Sequence, residues 1–181
     1  MSEQTRLTPA SSQTVGPYFR IGLQRLVDEA PAIDASAADV ITIRGKALDR
    51  DGEPVPDAML EFWNAGADGA NHDGYPEGFR RAATDGDGNF SVSVRRPAPV
   101  DAGDGRKQSP HLLVLFFCRG LLRHLISRVY FDDEAANPSD PVLLGVPDAR
   151  RHTLIARRET ENTYRWDVIL QGDEETVFFA W

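Results

Sequence analysis

Phe90-Ser91-Val92-Ser93-Val94-Arg95 alternates apolar and polar side chains without a break, directly after the turn-forming run Asp85-Gly86-Asp87-Gly88-Asn89. Period two puts successive side chains on opposite faces, so the stretch fits a half-buried strand. The same signal recurs along the chain. Ile41, Ile43 and Gly45 share one face against Thr42, Arg44 and Lys46. Asp49-Arg50-Asp51-Gly52 follows with hairpin chemistry, because Asp and Gly tolerate left-handed φ. Ala58 to Trp63, Leu125 to Phe131, Tyr164 to Leu170 and Thr176 to Trp181 read as further strands. His111 to Cys118 is almost continuously apolar, as expected of a central strand covered on both faces. Only Pro147 to Arg158 reads as helix, with Pro147 and Asp148 at its start and arginines toward its end. Many short strands with Gly, Pro and Asp turns predict a mostly β chain: an antiparallel β-sandwich with one short helix.

Before Val40 the pattern is different. Thr8 to Tyr18 is rich in turn formers and predicts an irregular arm, and Ala35 to Asp39 reads as a flexible join. The expected division is an N-terminal arm over 1–39, facing a partner and an active site, and a sandwich domain over 40–181. With 181 residues, the sandwich can bury a core without staples.

Charge narrows the function classes. Acidic residues outnumber basic ones 28 to 20, for a net charge of −8. No basic stripe stands out, which argues against nucleic acid and against an anionic membrane surface as partners. No apolar run reaches the roughly 18 residues of a membrane span. The start, Met1-Ser2-Glu3-Gln4-Thr5-Arg6, has no basic-then-apolar leader pattern, so the expected compartment is the cytoplasm. Cys118 is the one cysteine; it reads as a small buried apolar residue and supplies neither a disulfide within the chain nor a thiolate metal site.

Generic motifs add little. Asp85-x-Asp87-x-Asn89 starts like a calcium loop, but Phe90 and Arg96 stand where that loop needs Gly and Glu. Asp132-Asp133-Glu134 reads as a solvated strand end. His72, His111, His124 and His152 show none of the i, i+2 or i, i+4 pairing of a metal site. His111, opening the apolar strand, reads as a hydrogen-bonded structural histidine.

Longer segments are more specific. Ile43-Arg44-Gly45-Lys46-Ala47 and Gly52 to Ala65, with Pro54-Val55-Pro56-Asp57-Ala58 and Leu60-Glu61-Phe62-Trp63-Asn64 inside it, resemble the signature stretch of the intradiol ring-cleavage dioxygenases. Thr84 to Phe90 fits the same sandwich. Ser12-Gln13-Thr14-Val15-Gly16-Pro17-Tyr18, Arg128 to Glu134 and Gln171 to Phe179 are similar to the members of that family that cleave protocatechuate. That resemblance implies two homologous subunits, α and β. It also implies a non-haem Fe(III) held in the β subunit by two tyrosines and two histidines, the histidines one residue apart on a strand.

Here the matching strand reads Pro110-His111-Leu112-Leu113, so leucine stands at the second histidine position. The loop from Pro97 to Pro110 contains no aromatic residue, and Tyr75 is the one tyrosine between Gly66 and Gly78. Two ligands cannot hold Fe(III) with leucine at a third position. The resemblance therefore implies an α-type subunit that leaves the Fe(III) to a homologous β partner. Its arm would line the mouth of the β site through Thr14, Gly16, Pro17 and Tyr18, with Arg119 as a further lining residue. The implied substrates are protocatechuate (3,4-dihydroxybenzoate) and O2, and the implied product is 3-carboxy-cis,cis-muconate. A guanidinium and a phenol suit the buried carboxylate of such a substrate. Fold alone does not fix function, so a non-catalytic sandwich used for binding or assembly stays open beside this reading.

Overall fold

The computed structural model describes residues 10–30, 33–34, 37–64 and 78–180. A helix comes first: α1 (Pro17–Asp28). Gly16, in extended conformation, stands at its N-cap and Pro17 fills the first helical turn, where its missing N–H costs nothing. Phe19, Leu23 and Val27 are half-buried at spacings of four, while Tyr18, Ile21 and Leu26 are exposed. Residues 10–16, in the stretch expected to be irregular, form no helix or strand, whereas α1 after them was not expected. Apolar residues on both of its sides blur the period that would reveal it.

The strands are β1 (Val40–Leu48), β2 (Met59–Asn64), β3 (Phe79–Ala83), β4 (Asn89–Arg95), β5 (Val100–Asp101), β6 (Lys107–Gln108), β7 (Leu112–Phe117), β8 (Leu125–Phe131), β9 (Ile155–Thr160), β10 (Thr163–Arg165) and β11 (Val168–Ile169). Two short helices, α2 (Pro141–Gly145) and α3 (Asp148–Arg151), lie between β8 and β9. The main sheet runs β11-β1-β10-β9-β8-β7-β2-β3, and β4 lies on the free side of β1. The turn between β3 and β4 joins the two edges, so the sheet nearly closes on itself.

The mostly β sandwich expectation holds, with differences in detail. β1 pairs with β10 and β11 in parallel, and so does β8 with β9. The short helix expected over Pro147 to Arg158 stops at Arg151, passes through one 3-10 turn, and becomes β9 at Ile155. There Ile155 and Ala156 pair with Tyr130 and Phe131, and the ladder outweighs local helix preference. Tyr164 to Leu170 splits into β10 and β11 around Trp166. The described tail from Thr176 on forms no strand; single bonds tie it down, among them Phe179 N–H to the Ile126 carbonyl at 2.7 Å.

The inward face carries the main core: Ile41, Ile43, Phe62, Val94, Val114, Phe116, Val129, Phe131 and Tyr164. Gly45 lets two strands meet there, since a Cβ at this position would stand 1.8 Å from the Trp166 carbonyl oxygen. A second cluster on the outward face of β8 contains Tyr130, Leu143, Val146 and Leu154, with Val177 and Phe179 of the tail laid over it. In β7, Leu112, Val114 and Phe116 are buried, whereas Leu113, Leu115 and Phe117 are half-buried on the outward side. This outward face carries both candidate sites.

Candidate functional site

The first candidate is the junction of the arm with the turn after β7. Phe19 of α1 packs on Phe117 with ring centroids 5.2 Å apart, and Phe117 packs on His124 at the same distance. Arg20 reaches Asp57 at 3.5 Å. Thr14 Oγ1 accepts a hydrogen bond of 2.7 Å from the backbone N–H of Gly120. Gly120 has φ +93°, a conformation open to glycine at little cost. It turns the chain so that its amide meets the arm. Thr14 and Arg119, 105 positions apart in sequence, are thereby brought to one place.

Each expected lining residue can be located. Thr14 bonds to the turn, Gly16 caps α1 and Pro17 opens it. Tyr18 projects from the first turn with 80% of its surface exposed. Arg119 is exposed beside Cys118, and among the described residues no acid pairs with it. Burial pushes the Cys118 thiol up despite the pull of the Arg119 charge, so Cys118 is the protonated, apolar-like residue expected. A groove of about 670 Å³ adjoins these residues, lined by Gln13 and Val15 of the arm, Phe117 to His124 of the turn in part, and Phe178 to Ala180 of the tail. Thr14, Gly16, Pro17, Tyr18 and Arg119 flank this groove through their chain neighbours and do not line it. Phe19, Phe117 and His124 were missed by sequence reasoning. Their stacking joins residues about a hundred positions apart, and no local pattern announces it.

The second candidate is the outward face of β7 and β8, where the family's histidine pair would stand. His111 is 3% exposed, and its Nδ1–H donates to the Ser109 carbonyl at 2.7 Å. This is the structural histidine expected. Burial, helped by the Arg128 charge, holds its imidazole below the usual range against the opposing pull of that carbonyl and of Asp140. Its ring lies 5.3 Å from that of Tyr130. Leu113 pairs with Trp63 on one side and with Arg128 on the other. Tyr130 OH donates to Asp140 Oδ1 at 3.3 Å, and burial raises the Tyr130 phenol far above its ordinary value. The buried Asp140 carboxylate also accepts from the N–H groups of Ser109, Val142 and Leu143. Two of these bonds cap α2.

This face does not fit the family's iron. It offers His111 and Tyr130, with leucine and an arginine in the neighbouring places. Among the described residues, no three His, Cys, Asp or Glu side chains gather within reach of one ion. Tyr75 lies outside the described residues.

Elsewhere, Asp133 is not merely solvated. It accepts from Arg96 at 2.9 Å and from Tyr164 OH at 2.9 Å, and Asp132 accepts from the Arg158 N–H. The acidic run after β8 therefore locks strands together.

The sequence model of the family described as Dioxygenase matches residues 16–172. The chain belongs to the intradiol dioxygenase family. The protocatechuate 3,4-dioxygenase alpha chain of Burkholderia cepacia is 42% identical to it, over 97% of this chain and 98% of that one. The alpha chain from Pseudomonas putida is 37% identical, over 96% of each. The beta chain from Burkholderia cepacia is 26% identical, over 75% of this chain and 66% of its own length. Among solved structures, 3-chlorocatechol 1,2-dioxygenase from Rhodococcus opacus 1CP shares the fold at TM-score 0.58 and 21% identity, over 77% of this chain and 62% of that one. A dioxygenase domain from Streptomyces sp. SirexAA-E matches at TM-score 0.57 and 19% identity, over 98% and 97%. No helix among the described residues is long and apolar enough to cross a membrane.

Proposed function

We propose that this chain is the α subunit of a protocatechuate 3,4-dioxygenase, working with a homologous β subunit that holds the Fe(III). The observation that carries this reading is the near full-length likeness to two alpha chains, joined to the leucine at the second histidine position. The iron supplies the oxygen chemistry from the partner's side, and this chain's residues serve the substrate.

On this reading residues 1–39 form an arm that meets the β subunit, and 40–181 form the sandwich that carries it. The Thr14–Gly120 bond fixes the arm against the turn that bears Arg119. Gly16 and Pro17 set the direction in which Tyr18 leaves the surface. The guanidinium of Arg119, with which no acid pairs among the described residues, is available to the carboxylate of protocatechuate. A charge-assisted hydrogen bond there orients the ring without taking part in its opening. Tyr18 and Ile21, both exposed on α1, are the apolar surface that the partner covers, as expected of interface residues.

Coexpression with a β-type homologue, followed by iron analysis and oxygen uptake with protocatechuate, tests the proposal. Expected are iron and activity in the complex and neither in this chain alone. A purified single chain that binds stoichiometric iron and consumes oxygen would overturn it.

A further inference from the structure

Four side chains share the outward face at the His111 end of β7 and β8: His111 and Leu113 from one strand, Arg128 and Tyr130 from the other. Leu113 and Arg128 are direct cross-strand partners, which places their Cβ atoms about 5 Å apart. Arg128 is held from three directions. Its Nη1 donates to Gln108 Oε1 at 2.5 Å and to Tyr130 OH at 3.2 Å, and its guanidinium lies 6.0 Å from the centre of the Phe179 ring. Among the described residues no carboxylate lies within ion-pair distance of it. Asp140, behind the face, already accepts from three backbone N–H groups and from Tyr130 OH.

We propose that the Arg128 guanidinium is the resident cation of this face and that it, together with the loss of a histidine at 113, keeps metal ions out. This rests on reading the chain as the iron-free subunit. The argument is one of charge and of lone pairs. Among the described residues, the phenol within reach of His111 that could serve a metal here as an anionic ligand is that of Tyr130. That oxygen now accepts a hydrogen bond from a fixed positive charge while its own proton points to Asp140. His111 has Nδ1 committed to Ser109, which leaves one ring nitrogen. A metal ion entering between His111 and Tyr130 would sit within a few ångströms of the guanidinium, in a setting that screens charge poorly. Among the described residues no spare carboxylate is present to balance it. Restoring the missing ligand alone therefore does not restore a metal site.

Cobalt(II) binding to the full-length chain tests this, with dissociation constants taken from titration and from the visible absorption of the bound ion. The comparison is between Leu113→His and the double variant Leu113→His, Arg128→Gln. The single variant is expected to bind cobalt no more tightly than the unaltered chain. The double variant is expected to bind roughly tenfold or more tightly than the single one. Leu113→His with Arg128→Lys keeps the charge and is expected to behave as the single variant. Equal affinity of the single and double variants, whether both strong or both weak, would overturn the proposal. Thermal unfolding checks that each variant folds, and Arg128→Met serves the same comparison should Arg128→Gln not fold. Stoichiometric iron in the unaltered chain would instead overturn the subunit reading.

Discussion

Thr14 Oγ1 accepts the backbone N–H of Gly120 at 2.7 Å, tying the arm to the turn that carries Arg119. Thr14→Val keeps the shape and removes the acceptor, whereas Thr14→Ser keeps the acceptor. A net hydrogen bond of this kind contributes about 0.5–1.5 kcal/mol. The Gly120 amide in Thr14→Val is expected to exchange with deuterium roughly 2- to 10-fold faster than in the unaltered chain. Thr14→Ser is expected to stay near the original rate. An unchanged rate in the valine variant would show that the arm is held without this bond, by contacts such as Phe19 on Phe117 and Arg20 to Asp57.

Arg119 gives the most direct test of the substrate-facing role. Arg119→Ala in the assembled αβ enzyme is expected to weaken binding of protocatechuate about 10- to 100-fold, as for loss of a charge-assisted hydrogen bond. Catechol, which has no carboxylate, is expected to lose little. Iron content is expected to be unchanged. Equal losses for both substrates would assign Arg119 to the subunit contact.

The strands that were legible in the sequence are those whose two faces differ in polarity. β4 and β1 alternate because one side meets the core, and β7 is nearly all apolar because even its outward residues are half-buried. β3 was missed: Arg80 and Arg81 sit in its middle, and Arg81 is acceptable there only because Glu61 of β2 binds it at 2.8 Å. That partner lies 20 positions away. Helix α1 was missed because Tyr18 and Ile21 face outward. Such residues look misplaced in one chain and reasonable in a complex. The proposed lining residues come from resemblance to a family, and the junction that gathers them was not legible in the sequence. The Thr14–Gly120 bond and the Phe19–Phe117 stack are products of the whole fold, as is the placement of Arg128 opposite Leu113.

Gly45 predicts a large stability effect far from any site. A Cβ there would meet the Trp166 carbonyl oxygen at 1.8 Å and its carbon at 2.7 Å. Both are backbone atoms of the chain paired alongside β1, so no side chain can turn away. Gly45→Ala must part β1 from β10 and β11 and weaken the bond of 2.9 Å from Trp166 N–H to the Arg44 carbonyl. The expected cost is about 2–4 kcal/mol in urea unfolding. Gly86→Ala, with nothing within 4 Å of its Cβ, is the control and is expected to change stability by less than about 0.5 kcal/mol.

His111 predicts how stability responds to mild acid. Burial holds its imidazole below the ordinary range, so the folded chain keeps it neutral where the unfolded chain takes up a proton near pH 6.5. Arg128 and Tyr130 face it from β8, Asp140 stands behind, and its Nδ1 stays on the Ser109 carbonyl. Of these, Arg128 adds to the depression, while the Ser109 carbonyl and Asp140 oppose it. A group depressed on folding contributes stability that is present above its unfolded pKa and lost as pH falls toward the folded one. The unfolding free energy is therefore expected to drop between about pH 7 and pH 5.5, with His111 supplying up to about 1.4 kcal/mol per pH unit of the slope. His111→Asn retains a donor for Ser109 and does not titrate. Its urea midpoint at pH 7.5 is expected to lie below that of the unaltered chain, because the ring contact with Tyr130 is lost. Its slope from pH 7.5 to 5.5 is expected to be shallower, since the His111 contribution is gone and the rest of the chain is the same. Identical slopes would show that His111 is free to charge in the folded state, and that the interior behind β7 and β8 is wetter than its burial implies.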